Sequence, residues 1–231
     1  MYVPNYIPDP SEVPGNITER PYLERLTFIR RVCGFHFASI LLVAGASFLP
    51  GPNPPAIPAL WACILYLLFL SLVRTLGRGR PQEHVLSGVL LLPFLIALGP
   101  CIRSWTALGF QVWPPVYAAG GALIYSRLCG RDFSFVGQFI LSLIFSSFLV
   151  ALISTAKGLP PSEAAEALAW NAGFLAFFEY DLASLLARRR PGEEIGAVVD
   201  LYRDIFNLFG YIERCLKHWQ RHKIWTLPWQ N

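Results

Sequence analysis

The apolar positions of the chain fall in long unbroken runs, not in the alternating or one-sided patterns of strands and helices that face water. Five runs, at residues 32–49, 56–73, 85–102, 105–125 and 133–153, are each long enough to cross a hydrocarbon core of about 30 Å as a helix. Two weaker segments follow at 164–187 and 195–215, helical in length but bearing ionisable residues. The pattern predicts an all-α membrane protein with seven transmembrane helices in one domain. Its expected divisions are an N-terminal tail at 1–31, a seven-helix membrane domain at 32–216 and a basic, Trp-rich tail at 217–231.

Composition agrees, since 54% of the 231 residues are hydrophobic, 15% are charged and the mean hydropathy is +0.44. A domain in water could not cover so much apolar surface. Residues 1–27 are polar and proline-bearing, unlike a signal peptide, and the small-residue stretch VAGAS at 43–47 is a poor cleavage site. Cys33, Cys63, Cys101, Cys129 and Cys215 lie on or beside different helices without CxxC spacing, and read as small buried apolar residues, not as metal or redox ligands. Asn16-Ile17-Thr18 fits a glycosylation sequon, which matters only for an extracytoplasmic tail.

Charge in the short loops gives the orientation. Arg20, Arg25, Arg30 and Arg31 precede the first run, Arg74, Arg78 and Arg80 lie between the second and third, Arg127 and Arg131 between the fourth and fifth, and Arg188, Arg189 and Arg190 between the sixth and seventh. The alternate loops hold only Arg103 and Lys157. The N-terminus is therefore expected in the cytoplasm, of either a bacterial plasma membrane or an internal eukaryotic membrane such as ER or Golgi. Arg214, Lys217, Arg221 and Lys223 break the pattern if the last segment crosses fully. The end KHWQRHKIWTLPWQ reads as an interfacial anchor.

The unusual chemistry is in the last hairpin. The linker RRRPGEE breaks the helix at Pro-Gly, and its charges are expected to stay in water, so the flanking helices should be antiparallel neighbours. Asp181 lies seven residues before Arg188, about 10 Å deep, and Asp204 nine after Ile195, about 13 Å deep, at about 1.5 Å per residue. Two acids at matched depth cost about 2.5–3.5 kcal/mol each on insertion scales unless compensated or used. If they meet, like-charge repulsion leaves them sharing one proton, a pH-dependent latch that opens or binds a cation when both ionise. Asp200 is one turn away on the face of Asp204, Asn207 one turn deeper, and Arg203 stands beside Asp204 where it could neutralise it. A fixed ion-pair network with Arg203 is the plainer alternative. Arg74, at the end of the second helix, either bends in as a counter-ion or snorkels with Arg78 and Arg80. Glu179 points away from Asp181, His36 reads as a core histidine, and Asn171 as a cross-link between helices.

The stretches FFEYDLASLL, with Tyr180-Asp181, and DLYRDIFNLFGYIERC, with Leu201-Tyr202, Asp204-Ile205 and Asn207-Leu208-Phe209, resemble the transmembrane Bax inhibitor motif family. RDFSFVGQFIL and TFIRRVCGFHFASILLVAG add weaker likeness. The resemblance implies six helices around a central polar seventh. It also implies a pH-sensitive calcium leak in which two aspartates, here Asp181 and Asp204, sense protons and line the calcium pathway, with an arginine at the position of Arg74 as their counter-ion. It further implies calcium as a transported species with no permanently bound cofactor, and allows a non-conducting regulator of other membrane proteins in cell-death or quality-control settings.

An intramembrane aspartyl protease also uses a Tyr-Asp helix and a second aspartate that share a proton. Its Gly-x-Gly before the second acid is replaced here by Leu201-Tyr202-Arg203, and its Pro-Ala-Leu segment is missing. No phosphate loop, His-Glu-x-x-His helix or serine elbow occurs, so no enzyme is expected. The net charge of +4 is accounted for by topology-setting loops, not by nucleic-acid binding.

Overall fold

The computed structural model describes residues 13–77, 80 and 82–204. Within them a short 3-10 helix (Ile17–Glu19) is followed by seven α-helices: α1 (Tyr22–Ala46), α2 (Ala56–Gly77), α3 (Glu83–Ala107), α4 (Pro115–Leu128), α5 (Phe135–Ala156), α6 (Pro161–Arg188) and α7 (Glu194–Arg203). No strand occurs among the described residues. Four of the helices, α1, α2, α3 and α5, are long and apolar enough to cross a membrane. Large apolar side chains stay exposed along α2 (Leu65, Leu68, Leu72) and α5 (Leu141, Ile144, Phe148), a surface suited to lipid tails and not to water.

Two boundaries differ from the hydrophobic runs. The segment expected at 105–125 is divided, because Trp105 to Ala107 finish α3 and the chain turns at Gly109, whose φ of +95° suits glycine. α4 begins only at Pro115 and has 14 residues, about 21 Å at 1.5 Å per residue. The first helix starts at Tyr22, inside the expected tail. Arg30 is thus a helical residue that ties α1 to the end of α4, donating from Nε to the Ser126 carbonyl at 2.7 Å and from Nη2 to that of Gly130 at 3.2 Å. Residues 205–231, which include Asn207, Cys215 and the tail at 217–231, lie outside the described residues.

Small residues set the helix spacing. α1 packs on α3, α4 and α7; α4, α5 and α6 pack on one another; α7 also lies against α2, α3 and α6. At Gly99 of α3 an added Cβ would stand 2.5 Å from the Ala46 carbonyl carbon and 2.6 Å from the Ser47 nitrogen. Both atoms are backbone and cannot swing aside. Gly99→Ala is therefore expected to separate α1 from α3 and lower stability by about 1–3 kcal/mol, read as a lower melting temperature in detergent.

The segment before α1 docks on the end of α6. The Val13 nitrogen donates to the Ala187 carbonyl at 3.1 Å and the Ile17 nitrogen to that of Arg189 at 2.9 Å. Asn16 is 1% exposed, donates to the Val13 carbonyl and accepts from the Thr18 nitrogen, so the sequon's amide is committed to capping the 3-10 helix.

Candidate functional site

Polar chemistry concentrates where α6 ends, the chain turns at Gly192 (φ +90°), and α7 begins. The linker arginines do not all stay in water as expected: Arg188 and Arg189 are buried at 6% and 1% exposure, and Arg190 is exposed. The reason is local. Arg188 is two helical turns after Asp181, on the same face, and the turn folds α7 back so that its acids meet both guanidinium groups.

Arg188 holds the two predicted aspartates. Its Nη2 lies 2.6 Å from Asp181 Oδ1 and its Nη1 pairs with Asp204 Oδ2. Ser184 supports the arrangement, accepting from Arg188 Nη2 at 2.7 Å. Asp181, Asp200 and Asp204 are fully buried. Arg203 Nη2 reaches Asp204 Oδ1 at 3.0 Å and Asp200 Oδ1 at 3.1 Å, which joins this group to a second one.

In the second group Arg189 Nε donates to Asp200 Oδ2 at 2.7 Å, its Nη1 meets Glu83 Oε2 at 3.0 Å, and its Nη2 donates to the Gly196 carbonyl at 2.9 Å. Arg74 Nε lies 3.3 Å from Asp200 Oδ1, and its Nη1 lies 3.8 Å from Glu83 Oε2. Asp200 Oδ1 has cations within ion-pair distance but no aligned hydrogen bond, so charge and not geometry holds that side. Burial alone would lower the pKa of Arg189, but the carboxylates of Asp200 and Glu83 outweigh it and hold the guanidinium above its ordinary value. The linker cation therefore stays charged.

The structure thus gathers Asp181, Asp204, Asp200 and Arg203 into one network, with Arg188 as the link between the first two. Arg74 is turned inward, as a counter-ion would be, and its partners are Asp200 and Glu83. Sequence reasoning missed Arg188, Arg189, Glu83 and Ser184. The spacing of Arg188 from Asp181 was an available signal; the approach of Glu83 to Arg189 had none. Among the described residues four acids (Glu83, Asp181, Asp200, Asp204) meet four arginines (Arg74, Arg188, Arg189, Arg203) in the buried part of the network, with the half-buried Glu193 at its edge, 3.8 Å from Arg189, so the charges of the buried part balance. Among the described residues no group of three or more His, Cys, Asp or Glu is arranged to hold a metal ion.

Of the other polar residues, Asn171 cross-links α6 to α5, donating to Ser146 Oγ at 2.9 Å and Ser147 Oγ at 3.1 Å. His36 is buried, stacked on Phe178 at 5.2 Å between ring centroids, with Tyr202 edge-on at 5.4 Å. The cysteines within the described residues are free and carried on or beside separate helices.

An all-helical bundle with lipid-suited outer faces and a buried, balanced charge network at one end defines a multi-pass membrane protein. The chain is similar to BI1-like protein of Arabidopsis thaliana, 28% identical over 207 residues that cover 84% of this chain and 81% of the relative. That similarity, running through most of both chains, supports placing this one in the Bax inhibitor family. No family model matches the chain, and no solved structure matches it.

Proposed function

We propose that this protein is a pH-sensitive calcium leak of the Bax inhibitor type, with the charge network between α6 and α7 as its gate. The observation that carries this reading is the placement of Arg188 between the buried carboxylates of Asp181 and Asp204. In the proposed topology the N-terminus is cytoplasmic, the seventh segment continues beyond Asp204 to cross the bilayer, and six helices surround it. Calcium is the transported ion and protons are the control. A closed gate fits the balanced charge, because a cation gains little from carboxylates already paired with guanidinium groups.

The sign of the pH response follows from the bridge and is the reverse of that expected for two acids sharing one proton, because the Arg188 guanidinium lies between the carboxylates. Protonating either aspartate removes one arm of the Arg188 link, frees the two helices to part, and exposes the other carboxylate to a cation. Calcium efflux from vesicles that hold the protein is therefore expected to rise as the pH falls. Asp204→Asn removes the same arm at every pH and is expected to flatten the response; an unaltered response in that variant would overturn the reading.

A second reading, a non-conducting regulator of other membrane proteins, draws support from the same balance of four acids and four arginines. Flux indistinguishable from empty vesicles at every pH would favour it. Proteolysis is the least supported, since an acid–base pair sharing a proton would first have to displace Arg188. Asp181-dependent cleavage of a single-span substrate would be its signature.

A further inference from the structure

We infer that Glu179 is a second proton-binding site, carried as its neutral acid in the folded protein and separate from the aspartate network. Glu179 lies on α6 two residues before Asp181, about 200° around a helix of 100° per residue, so the two side chains leave opposite faces. It is 6% exposed, and neither carboxylate oxygen has a hydrogen-bond partner. An ionised carboxylate in that position would be a buried charge with no compensation, the arrangement that proteins avoid by keeping the group neutral.

Among the described residues, no element packed around Glu179 supplies it a cation. From α1 come Cys33, a buried thiol, and His36, whose ring is committed to the stack on Phe178 and Phe174. From α4 come Tyr125, and Arg127, which influences Cys33 but forms no hydrogen bond with Glu179. On α6 itself Asp181 is bound to Arg188. From α5 comes an uncharged amide. The Asn171 to Ser146 hydrogen bond sets the antiparallel register of α5 and α6, and eight residues along each helix from that pair stand Gln138 and Glu179.

Gln138 has the complementary need. It is fully buried, its Nε2 donates to the Ala122 carbonyl at 2.8 Å, and its Oε1 has no partner. A protonated Glu179 is a donor, and an unpartnered carbonyl oxygen at its own level is the acceptor it requires. The seam beyond is polar as well. Ser142, Ser146 and Ser154 continue the buried face of α5 at helical spacing, and the hydroxyls of Ser142 and Ser154 and Oδ1 of Asn171 have no partner either.

The inference stands whether or not the protein conducts calcium, and its test needs no flux. Infrared difference spectra of the purified protein at neutral pH are expected to contain the carbonyl stretch of a protonated carboxylic acid, lost in Glu179→Gln. Linkage supplies the second readout. A proton held by the folded state and released at an ordinary carboxyl pKa on unfolding destabilises the wild type as pH rises, by up to about tenfold in the folding equilibrium per pH unit. Glu179→Gln mimics the neutral acid and escapes that loss. The melting temperature of the variant minus that of the wild type is therefore expected to grow between about pH 5 and pH 8. Glu179→Leu, also uncharged, is expected to show the same growth from a lower starting point. Survival of the carboxylic acid band in the glutamine variant, or a gap that does not change with pH in both variants, overturns the proposal.

Discussion

Arg188→Gln is expected to lower stability by about 3–5 kcal/mol, the largest effect of any single replacement in the protein. The side chain is 6% exposed and binds two fully buried carboxylates. Removing it takes the Arg188 guanidinium from both Asp181 and Asp204, in surroundings where water cannot replace it. The size of the loss comes mainly from the stranded acids, not from the worth of the intact bridge. Arg188→Gln combined with Asp181→Asn and Asp204→Asn should therefore recover much of the stability, although it contains more substitutions. Thermal melts in detergent of the single and triple variants check this directly. If the single variant melts with the wild type, Arg188 is not holding the acids. In vesicles the single variant is also expected to leak calcium without regard to pH, which links the stability argument to the proposed gate.

Asp200→Asn should have the next largest effect, again about 3–5 kcal/mol. This one carboxylate, fully buried, faces Arg74, Arg189 and Arg203 from α2, the linker and its own helix. Its neutralisation leaves Glu83 for Arg74, and Glu83 with the more distant Glu193 for Arg189. The shape of the side chain is kept, so the loss reports the missing charge and the acceptor oxygen that the amide NH2 replaces. Added salt should restore little, because a buried pair is poorly screened. Arg31 and Glu194 provide the contrast. Their bridge is 3.2 Å long, but the arginine side chain is 59% exposed, and Arg31→Ala is expected to cost no more than about 1 kcal/mol. Comparable melting temperatures for Asp200→Asn and Arg31→Ala would contradict the depth assigned to the network.

Much of this could be read from residue order. The apolar runs predicted the helices because the backbone must satisfy its own hydrogen bonds in lipid, and a long apolar run offers few other ways to do so. The boundary at Trp105 failed because tryptophan and leucine are apolar whether they end a helix or begin a loop. Only the turn at Gly109 and the prolines before α4 marked the break. Asp181, Asp204, Asp200 and Arg203 were recognisable because an acid inside an apolar helix has to be explained. Arg189 was not, because arginines before Pro-Gly look the same whether they face water or fold inward, and for Arg188 the one signal was its two-turn spacing from Asp181.

Residue order alone settled what is local: the long apolar helical runs, and the face of α6 that carries Asp181 as opposed to Glu179. The pairing of charges was left to tertiary structure, since Glu83 and Arg189 are far apart along the chain and meet only through the way α3 and α7 pack. The same holds for Glu179 and Gln138, whose shared level depends on the register of α5 against α6. Helix formation is governed by neighbours within a turn or two, but the energy of a buried charge depends on whatever the fold brings within a few ångströms of it.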